Sequence, residues 1–311
     1  MTGSAHVTIL LAMRNGGDEL APQLDSYLTQ TLKPARILAS DDGSHDDSRA
    51  VFERFAQRAR ADGIDCQLFD GPQKGATANF LSLLARPGAD TTHVALSDQD
   101  DIWLPGKLED AVQRLAPQGA HPALLGTRSW EWDPDTDRRQ LSRPVPPPYD
   151  FRHALVQNFA GGNTMMLNRS GLDLVQRALP RTRDAAVHDW WLYQLISGAG
   201  GTVLLGEEPH ILYRQHHGNQ IGANTGLRSK LRRFRAMLCG TYRTWNDLNV
   251  TALNATRDLL MPDAQDILFR FARDRGRALP ARLAMLRSTR LRRKGGLNQA
   301  TLWVAAVLGK L

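Results

Sequence analysis

The chain has 311 residues, of which 42% are hydrophobic and 23% are charged, and its formal net charge is +7. These proportions are close to those of an average globular protein, so they exclude a disordered chain and a fibrous repeat. The length predicts one large α/β domain followed by a modest extension.

Short apolar runs alternate with helical stretches along the first hundred residues. Strands are predicted at residues 7–13, 36–40, 65–69 and 93–97, and helices at residues 20–28, 46–61 and 76–84. This alternation predicts a parallel sheet that is covered by helices on both faces. Ligands of such sheets bind beyond the carboxyl ends of the strands. The residues that follow each strand are therefore candidates for a functional site.

Two of these strand ends are acidic. Asp41 and Asp42 follow the second strand, and residues 98–101 (DQDD) follow the fourth. Carboxylates this close repel one another unless a cation or hydrogen-bond donors compensate their charge. Mg²⁺ and Mn²⁺ prefer carboxylate oxygens and complete their shells with water and substrate phosphates. The pair Asp98 and Asp100 therefore predicts a divalent metal site, and the alternative is an acidic turn that caps the next helix.

Eight segments resemble, in matching order, the family 2 glycosyltransferases of the GT-A fold, in particular the rhamnosyltransferase-like branch of bacterial surface polysaccharide synthesis. They are LLAMRNG (10–16), QLDSYLTQT (23–31), SDDGSHDDS (40–48), NFLSLL (79–84), SDQDDIW (97–103), GGNTMMLNR (161–169), HDWW (188–191) and YRQHHGN (213–219). The resemblance implies a GT-A domain over residues 1–226, with a Rossmann-like, mostly parallel sheet. It also implies inverting transfer from a nucleotide-diphosphate sugar, with dTDP-L-rhamnose favoured, and a divalent metal, Mn²⁺ or Mg²⁺.

The resemblance assigns donor-side and metal-side roles to particular residues. Asp41 matches the acid that binds the base or ribose, and Asp42 lies beside it. Asp100 matches the direct metal ligand, and Asp98 is expected near both the ribose and the metal. The remaining expected donor contacts are Asn15, Lys74, Gln99 and Arg214, and either His216 or His217 is expected to complete the metal shell unless it is structural. The loop departs from most relatives at Arg14, where an aromatic residue is expected.

Asp189 in the HDWW segment matches the base that takes the proton of the acceptor hydroxyl. The residues expected to contact the acceptor or the sugar are Gly162, Asn163, His188, Trp190 and Trp191. For His188 the alternative is a structural partner, and for the two tryptophans the alternative is the helix core. The Pro-rich region from Arg128 to Phe151 is predicted to be a long loop.

The region 227–311 is predicted to be helical and basic, with 18 Lys and Arg against 5 Asp and Glu. Leucines recur at helical spacing from Leu279 to Leu291 among arginines, and an apolar run fills residues 302–309. This pattern favours an amphipathic helix on an anionic membrane surface over nucleic-acid binding or an oligomer-forming bundle. A lipid-linked glycan acceptor, as in O-antigen or capsule synthesis, is the expected partner at that surface.

Cys66 and Cys239 give neither a disulfide framework nor a zinc site. The sequence has no secretory signal and no apolar run of about 20 residues. We therefore expect a cytoplasmic protein, peripheral on the inner face of the cell membrane. Other nucleotide enzymes are disfavoured, because no GxGxxG follows the first strand. A noncatalytic nucleotide-sugar-binding or scaffold protein with the same fold is the alternative.

Overall fold

The computed structural model describes residues 5–215 and 240–311. Eleven strands within these ranges form two sheets. The larger sheet contains β1 (Val7–Met13), β2 (Arg36–Asp41), β3 (Asp65–Asp70), β4 (His93–Ser97), β6 (Ala123–Thr127), β9 (Met166–Asn168) and β10 (Thr202–Gly206). The smaller sheet contains β5 (Ile102–Trp103), β7 (Trp130–Asp133), β8 (Arg138–Leu141) and β11 (Ile211–Arg214).

Helices surround the larger sheet and make up most of the described C-terminal region. The helices up to residue 215 are α1 (Leu20–Leu28), α2 (Ser48–Ala61), α3 (Ala76–Leu84), α4 (Lys107–Leu115), α5 (Phe151–Ala154), α6 (Arg169–Ala178) and α7 (His188–Gly198). Those after residue 240 are α8 (Thr241–Ala255), α9 (Pro262–Asp274), α10 (Leu279–Thr289) and α11 (Gly296–Val307). The described helices lack the length and apolarity needed to cross a bilayer.

The first strand is apolar along its whole length because both faces of the sheet are covered. Successive side chains of a strand point to opposite faces. Ile9 and Leu11 therefore join one buried cluster, with residues of α1, α2 and α4, whereas Leu10 and Ala12 join another, with residues of α3, α6 and α7. The parallel sheet that the sequence predicts is thus confirmed for its first four strands.

The strand order of the larger sheet reverses at its centre, beside β1. The order is β10-β6-β9-β4-β1-β2-β3. β1 pairs in parallel with both β2 and β4, and β9 runs antiparallel between β4 and β6. The chain therefore proceeds from β1 towards one edge and returns to the other side of β1 with β4. A crevice at such a reversal is where ligands of α/β sheets bind.

The region from Arg128 to Phe151 differs from the predicted long loop. It contains the antiparallel hairpin of β7 and β8, in which Trp130 pairs with Leu141 and Asp133 with Arg138. Periodicity did not reveal these strands because they are short and only partly buried, so they lack a regular alternation of apolar and polar residues. β7 also pairs with β11 and so connects the hairpin to the segment that follows β10.

The C-terminal helices continue the hydrophobic core of the larger sheet. Leu253, Leu268, Phe271, Leu286 and Leu302 are buried in the same cluster as residues of α7. The helix predicted near Leu279 is present as α10, which buries Met285, Leu286 and Thr289, but its apolar residues do not form the single face that an amphipathic helix requires. One side of the C-terminal region is therefore packed against the sheet domain.

Candidate active site

The crevice lies between the carboxyl ends of β1 and β4, and Gln99 connects these two strand ends. Its Oε1 accepts a hydrogen bond from the Arg14 N–H (2.6 Å), and its Nε2 donates to the Arg14 carbonyl (2.9 Å). The side chain thus fixes the acidic loop after β4 to the loop after β1. Gln99, an expected donor contact, uses its amide in this structure to shape the site.

Asp41, the last residue of β2, is buried at the same edge of the sheet. Its Oδ1 accepts hydrogen bonds from the hydroxyl and the N–H of Ser44 (2.5 and 3.2 Å), and its Oδ2 accepts one from Arg49 (3.1 Å). Arg49 also contacts Asp70 at the end of β3 (2.8 Å). These contacts fix the Asp41 carboxylate at the end of β2.

The Asp42 carboxylate organises the loop that follows β3. Its Oδ1 accepts a hydrogen bond from the Gln73 N–H (2.6 Å), and its Oδ2 accepts one from the Gly75 N–H (2.7 Å). Lys74 lies between these two residues and is exposed. Asp42 therefore acts on the loop that presents Lys74, and both of its oxygens are engaged by backbone.

Asn15 connects the loops that follow β1 and β2. Its φ is +50°, in the left-handed region that asparagine tolerates better than most residues. Its N–H donates to Ser44 Oγ (2.8 Å), and its Oδ1 accepts a hydrogen bond from the His45 N–H (2.8 Å). Asn15, like Gln99, thus holds neighbouring loops at the carboxyl edge of the sheet together.

Several carboxylates gather around Asp98, the first residue after β4. Burial and then the charges of Asp101, Asp100 and Asp189 raise the pKa of Asp98 well above its usual value. Asp189 comes from α7, so the structure brings the predicted metal site and the predicted base into electrostatic contact. A positive charge at this place would offset the mutual repulsion.

Asp101 is completely buried and only partly satisfied. Its Oδ2 accepts a hydrogen bond from Asn163 Nδ2 (2.6 Å), whereas its Oδ1 has no hydrogen-bond partner within the described residues. Lys107 Nζ donates to the Asn163 carbonyl (3.3 Å) and lies 4.4 Å from the Trp103 ring centroid. Burial lowers the pKa of Lys107 to about 7, and Asp101 opposes that shift. Asn163 thus connects an acid and a base instead of lying open to a sugar.

Asp189 lies in the first turn of α7 and is buried. Its Oδ2 accepts a hydrogen bond from the Gly162 N–H (3.0 Å), and its Oδ1 accepts one from the Trp190 N–H (2.5 Å). Burial raises the pKa of Asp189 to about 6, although these N–H groups and the Asn158 side chain lower it. A fixed carboxylate that changes protonation state near neutral pH is suited to general base catalysis.

His188 supports the backbone beside Asp189. Its ring stacks on Phe80 with centroids 4.0 Å apart, and burial lowers its pKa to about 3, so the imidazole is neutral. A Cβ on Gly162 would lie 2.4 Å from His188 Nε2, which leaves room only for glycine. The ring is packed against Phe80 and Gly162, and neither of its nitrogens has a hydrogen-bond partner within the described residues.

Trp190 and Trp191 belong to the hydrophobic core. Trp191 is 0% exposed, and Trp190 is 4% exposed with its Nε1 donating to the Ala154 carbonyl (2.6 Å). Neither ring has a face open to a sugar, because helices and the sheet cover both. The core alternative therefore describes both tryptophans better than the expected sugar contact.

Arg214, at the end of β11, reaches the acidic loop from the smaller sheet. Its Nε donates to the Asp100 carbonyl (3.0 Å), and its guanidinium lies 4.8 Å from the Trp132 ring centroid. His216 and His217, the expected additional metal ligands, lie outside the described residues. Within residues 5–215 and 240–311, no group of three or more His, Cys, Asp or Glu side chains is arranged to hold a metal.

Three residues of the site were missed by the sequence analysis. Asn158 interacts with Asp189, and Lys107 interacts with Asp101. Both lie close in sequence to recognised segments, GGN and SDQDDIW, and this proximity was an available signal. Arg49, which contacts Asp41, carries no such signal, because its role depends on the adjacent ends of β2 and β3.

Comparisons with known proteins identify the family to which the chain belongs. The family model described as "Glycosyl transferase family 2" matches residues 8–173, which is more than half of the chain. The chain belongs to glycosyl transferase family 2. This finding confirms the family that the eight segments predict, and it makes the protein a glycosyltransferase.

The family 2 assignment is accompanied by similarity to individual proteins. The dTDP-rhamnosyl transferase RfbG of Shigella flexneri is 26% identical over 238 residues, which cover 75% of this chain and 81% of RfbG. The crystal structure of S. aureus TarS 1–349 has a TM-score of 0.54 at 12% identity and covers 98% of this chain and 79% of that one.

A third similar protein is the mannosyltransferase PcManGT of Pyrobaculum calidifontis, solved in complex with GDP-Man and Mn²⁺. It has a TM-score of 0.51 at 16% identity, over 99% of this chain and 86% of that one. At such identities the two solved structures establish the fold alone. The expected GT-A type fold, a mostly parallel sheet flanked by helices, is thereby confirmed.

Proposed function

We propose that this family 2 member transfers a sugar from a nucleotide diphosphate to an acceptor hydroxyl with inversion, and that Asp189 is the base. The observation that carries this proposal is the buried Asp189 carboxylate, fixed by two backbone N–H groups and electrostatically coupled to Asp98. The acceptor oxygen forms a bond to the anomeric carbon while the bond from that carbon to the diphosphate breaks. The hydroxyl proton goes to Asp189, and the leaving diphosphate takes the electron pair.

The acidic loop fits a divalent cation, Mn²⁺ or Mg²⁺. The buried Asp101 Oδ1 lacks a hydrogen-bond partner within the described residues, and burial, followed by the charges of neighbouring carboxylates, raises the pKa of Asp98. Such ions are commonly held by one or two carboxylates together with substrate phosphates, so a complete cluster of protein ligands is not required. Asp98 and Asp100 would hold the ion, which would neutralise charge on the leaving diphosphate.

The proposed donor is dTDP-L-rhamnose. The support is the similarity to RfbG, whose name specifies dTDP-rhamnosyl transfer and whose alignment spans most of both chains. On this chain, Asp41 would contact the nucleoside, and the exposed Lys74 and the half-buried Arg214 would contact phosphate oxygens. Asp42, Asn15 and Gln99 would contribute by holding these loops in place.

The proposed acceptor is a lipid-linked glycan of the O-antigen or capsule type, presented at the inner face of the cell membrane. The support is an apolar face on α11. Leu297, Val304, Val307 and Leu308 lie on one side of this helix and are 40% to 66% exposed. Residues 277–311 contain basic residues and no Asp or Glu. A row of exposed apolar side chains in a basic region is suited to binding an anionic lipid surface.

The donor proposal is tested by a thermal-shift panel of nucleotide-diphosphate sugars with and without Mn²⁺ or Mg²⁺, followed by a turnover assay. We expect a metal-dependent rise in melting temperature with dTDP-L-rhamnose, because a ligand that binds only the native state stabilises it. Asp100→Ala should lose this rise. A response to another donor would exclude rhamnose, and binding without turnover on any acceptor would favour a noncatalytic protein.

The membrane proposal is tested by co-sedimentation with vesicles. We expect binding to phosphatidylglycerol vesicles and much weaker binding to phosphatidylcholine vesicles. The double variant Leu297→Ser, Leu308→Ser should bind less. Phe269→Ser is the matched control, because Phe269 is 47% exposed on α9. Equal binding to both vesicle types, or an equal loss in the control, would contradict the proposal.

A further inference from the structure

A short segment, residues 150–158, connects the C-terminal region to the active site. It consists of Asp150, the single-turn helix α5 and the residues up to Asn158. α5 has only four residues, and an isolated turn of helix is unstable in water. Its position must therefore be fixed by contacts with its neighbours.

The C-terminal region holds the outer side of this segment. The Arg292 guanidinium forms an ion pair with the Asp150 carboxylate, which also caps α5 by accepting a hydrogen bond from the His153 N–H (3.1 Å). Arg152 donates to the Thr289 carbonyl (2.6 Å) and to Asp263 (2.8 Å).

Two further contacts continue the same attachment towards Asn158. The Lys294 N–H donates to Gln157 Oε1 (2.9 Å), and the Tyr242 hydroxyl donates to the Val156 carbonyl. Arg293 lies over the Tyr242 ring, 5.0 Å from its centroid. The link between α10 and α11 thus runs along residues 150–157.

The inner side of the segment holds α7, which carries the base. The Ala154 carbonyl accepts hydrogen bonds from Trp190 Nε1 (2.6 Å) and Gln194 Nε2 (3.2 Å). His153 Nδ1 lies 2.7 Å from the Tyr193 hydroxyl. At the end of the segment, the Asn158 side chain interacts with Asp189 itself. The segment therefore contacts Asp189 directly and also through the residues that follow it in α7.

We propose that Arg292 is a positioning residue for the glycosyl transfer, acting through Asp150 and α5 on the Asp189 carboxylate. This inference rests on the proposed role of Asp189 as the base. The Arg292 and Asp150 side chains are 33% and 41% exposed, and ion pairs with this much solvent contribute little to stability. The Arg292 contact therefore serves chiefly to place α5, and through it the base, relative to the acceptor.

The test is steady-state kinetics of Arg292→Ala. A small displacement of a catalytic group lowers the rate strongly, so we expect kcat to fall ~10-fold while the KM for the donor stays within about twofold. Arg292→Lys keeps the positive charge and should recover most of the lost kcat. Arg287→Ala, which removes an exposed arginine of α10, is the matched control and should leave kcat unchanged.

A double-mutant cycle with Asp150→Asn tests whether Arg292 acts through its ion pair with Asp150. Asp150→Asn keeps an oxygen that can cap α5, so it should fold even if Arg292→Ala does not. The two substitutions should be strongly non-additive in kcat, because they remove the same ion pair. An unchanged kcat in both single variants, additive effects, or an equal fall in Arg287→Ala would overturn the proposal. Loss of function in Asp189→Ala with normal kcat in the Arg292 variants would overturn this inference alone.

Discussion

The two sides of the crevice differ in how their carboxylates are compensated. On the donor side, the oxygens of Asp41 and Asp42 accept hydrogen bonds from Ser44, Arg49 and backbone N–H groups. On the opposite side, burial and neighbouring acids raise the pKa of Asp98, and burial raises that of Asp189. The carboxylates of Asp41 and Asp42 are therefore fixed by hydrogen bonds before any ligand binds. Asp98 and Asp189, in contrast, lie in surroundings that disfavour their ionised forms.

This difference indicates two roles for acidic residues in the same site, one in holding loops and one in chemistry. A satisfied carboxylate fixes the shape of loops, and its loss should affect folding and donor affinity. A buried and crowded carboxylate is costly to keep, and such costs are characteristic of functional sites. Substitutions of Asp42 and of Asp189 should therefore separate effects on donor KM and stability from effects on kcat.

The largest expected effect is that of Asp189→Ala on turnover. A general base contributes about 10²–10⁴-fold to the rate, so kcat should fall by that factor while the donor-induced thermal shift is retained. Asp184→Ala, which removes an exposed acid of the preceding loop, is the control and should keep full activity. Near-normal turnover of Asp189→Ala would show that another group is the base.

The next effect is that of Gly162→Ala. The new Cβ would lie 2.4 Å from His188 Nε2, and the backbone shift that relieves this contact would displace the N–H that binds Asp189. We expect kcat to fall by roughly 10²-fold. The double variant Gly162→Ala, His188→Ala removes the clash and should regain part of the activity. Gly276→Ala, at a position with open space for a Cβ, is the control; equal losses in both single variants would contradict this explanation.

The cost of burying Asp189 should appear as a pH dependence of stability. Its pKa rises from 3.8 to about 6 on folding, so the folded state binds more protons between these values, and the free energy of unfolding falls as pH rises through them. Over the whole range, this pKa shift lowers the free energy of unfolding by about 3 kcal/mol. Urea unfolding from pH 4 to pH 7 should show Asp189→Ala gaining about 2 kcal/mol relative to wild type, because part of the change lies below pH 4. A constant difference would contradict the raised pKa.

The same acid should limit activity in acid solution. A base must be deprotonated to accept a proton, so kcat/KM should rise with pH through about 6, the pKa of Asp189. The rise is measured with saturating metal and varied donor. The profile of Asp184→Ala should coincide with that of wild type. If kcat/KM stayed constant to well below pH 5, the group that limits activity would not be Asp189.

Much of the fold was predictable because it depends on local patterns. Apolar runs and helical periodicity located β1 to β4 and α1 to α3, and the acids after β2 and β4 were placed correctly at one edge of the sheet. The β7–β8 hairpin was not predicted, since its short strands pair with β11 from a distant part of the sequence. Such long-range pairing leaves no local periodicity.

The individual roles of the site residues were less predictable than their location. A sequence motif shows that Asp42 lies beside Asp41, but not that its oxygens point to the N–H groups of Gln73 and Gly75. In the same way, the HDWW segment identifies Asp189 but does not show that Trp191 is 0% exposed. These facts depend on how separate loops and helices pack, and the chain order alone does not determine that packing.

The smallest expected effect, that of Asp42→Ala, would sharpen the contrast between the two sides. The substitution removes the acceptor of two loop N–H groups, for which water can partly substitute because Gln73 is exposed. We expect a loss of about 2 kcal/mol in urea unfolding. The donor KM should rise several-fold as the Lys74 loop loosens, whereas kcat should change little. Asp62→Ala, an exposed acid at the end of α2, is the control. A fall in kcat without a change in donor KM would mean that Asp42 acts on the chemical step, and the division of roles between the two sides would not hold.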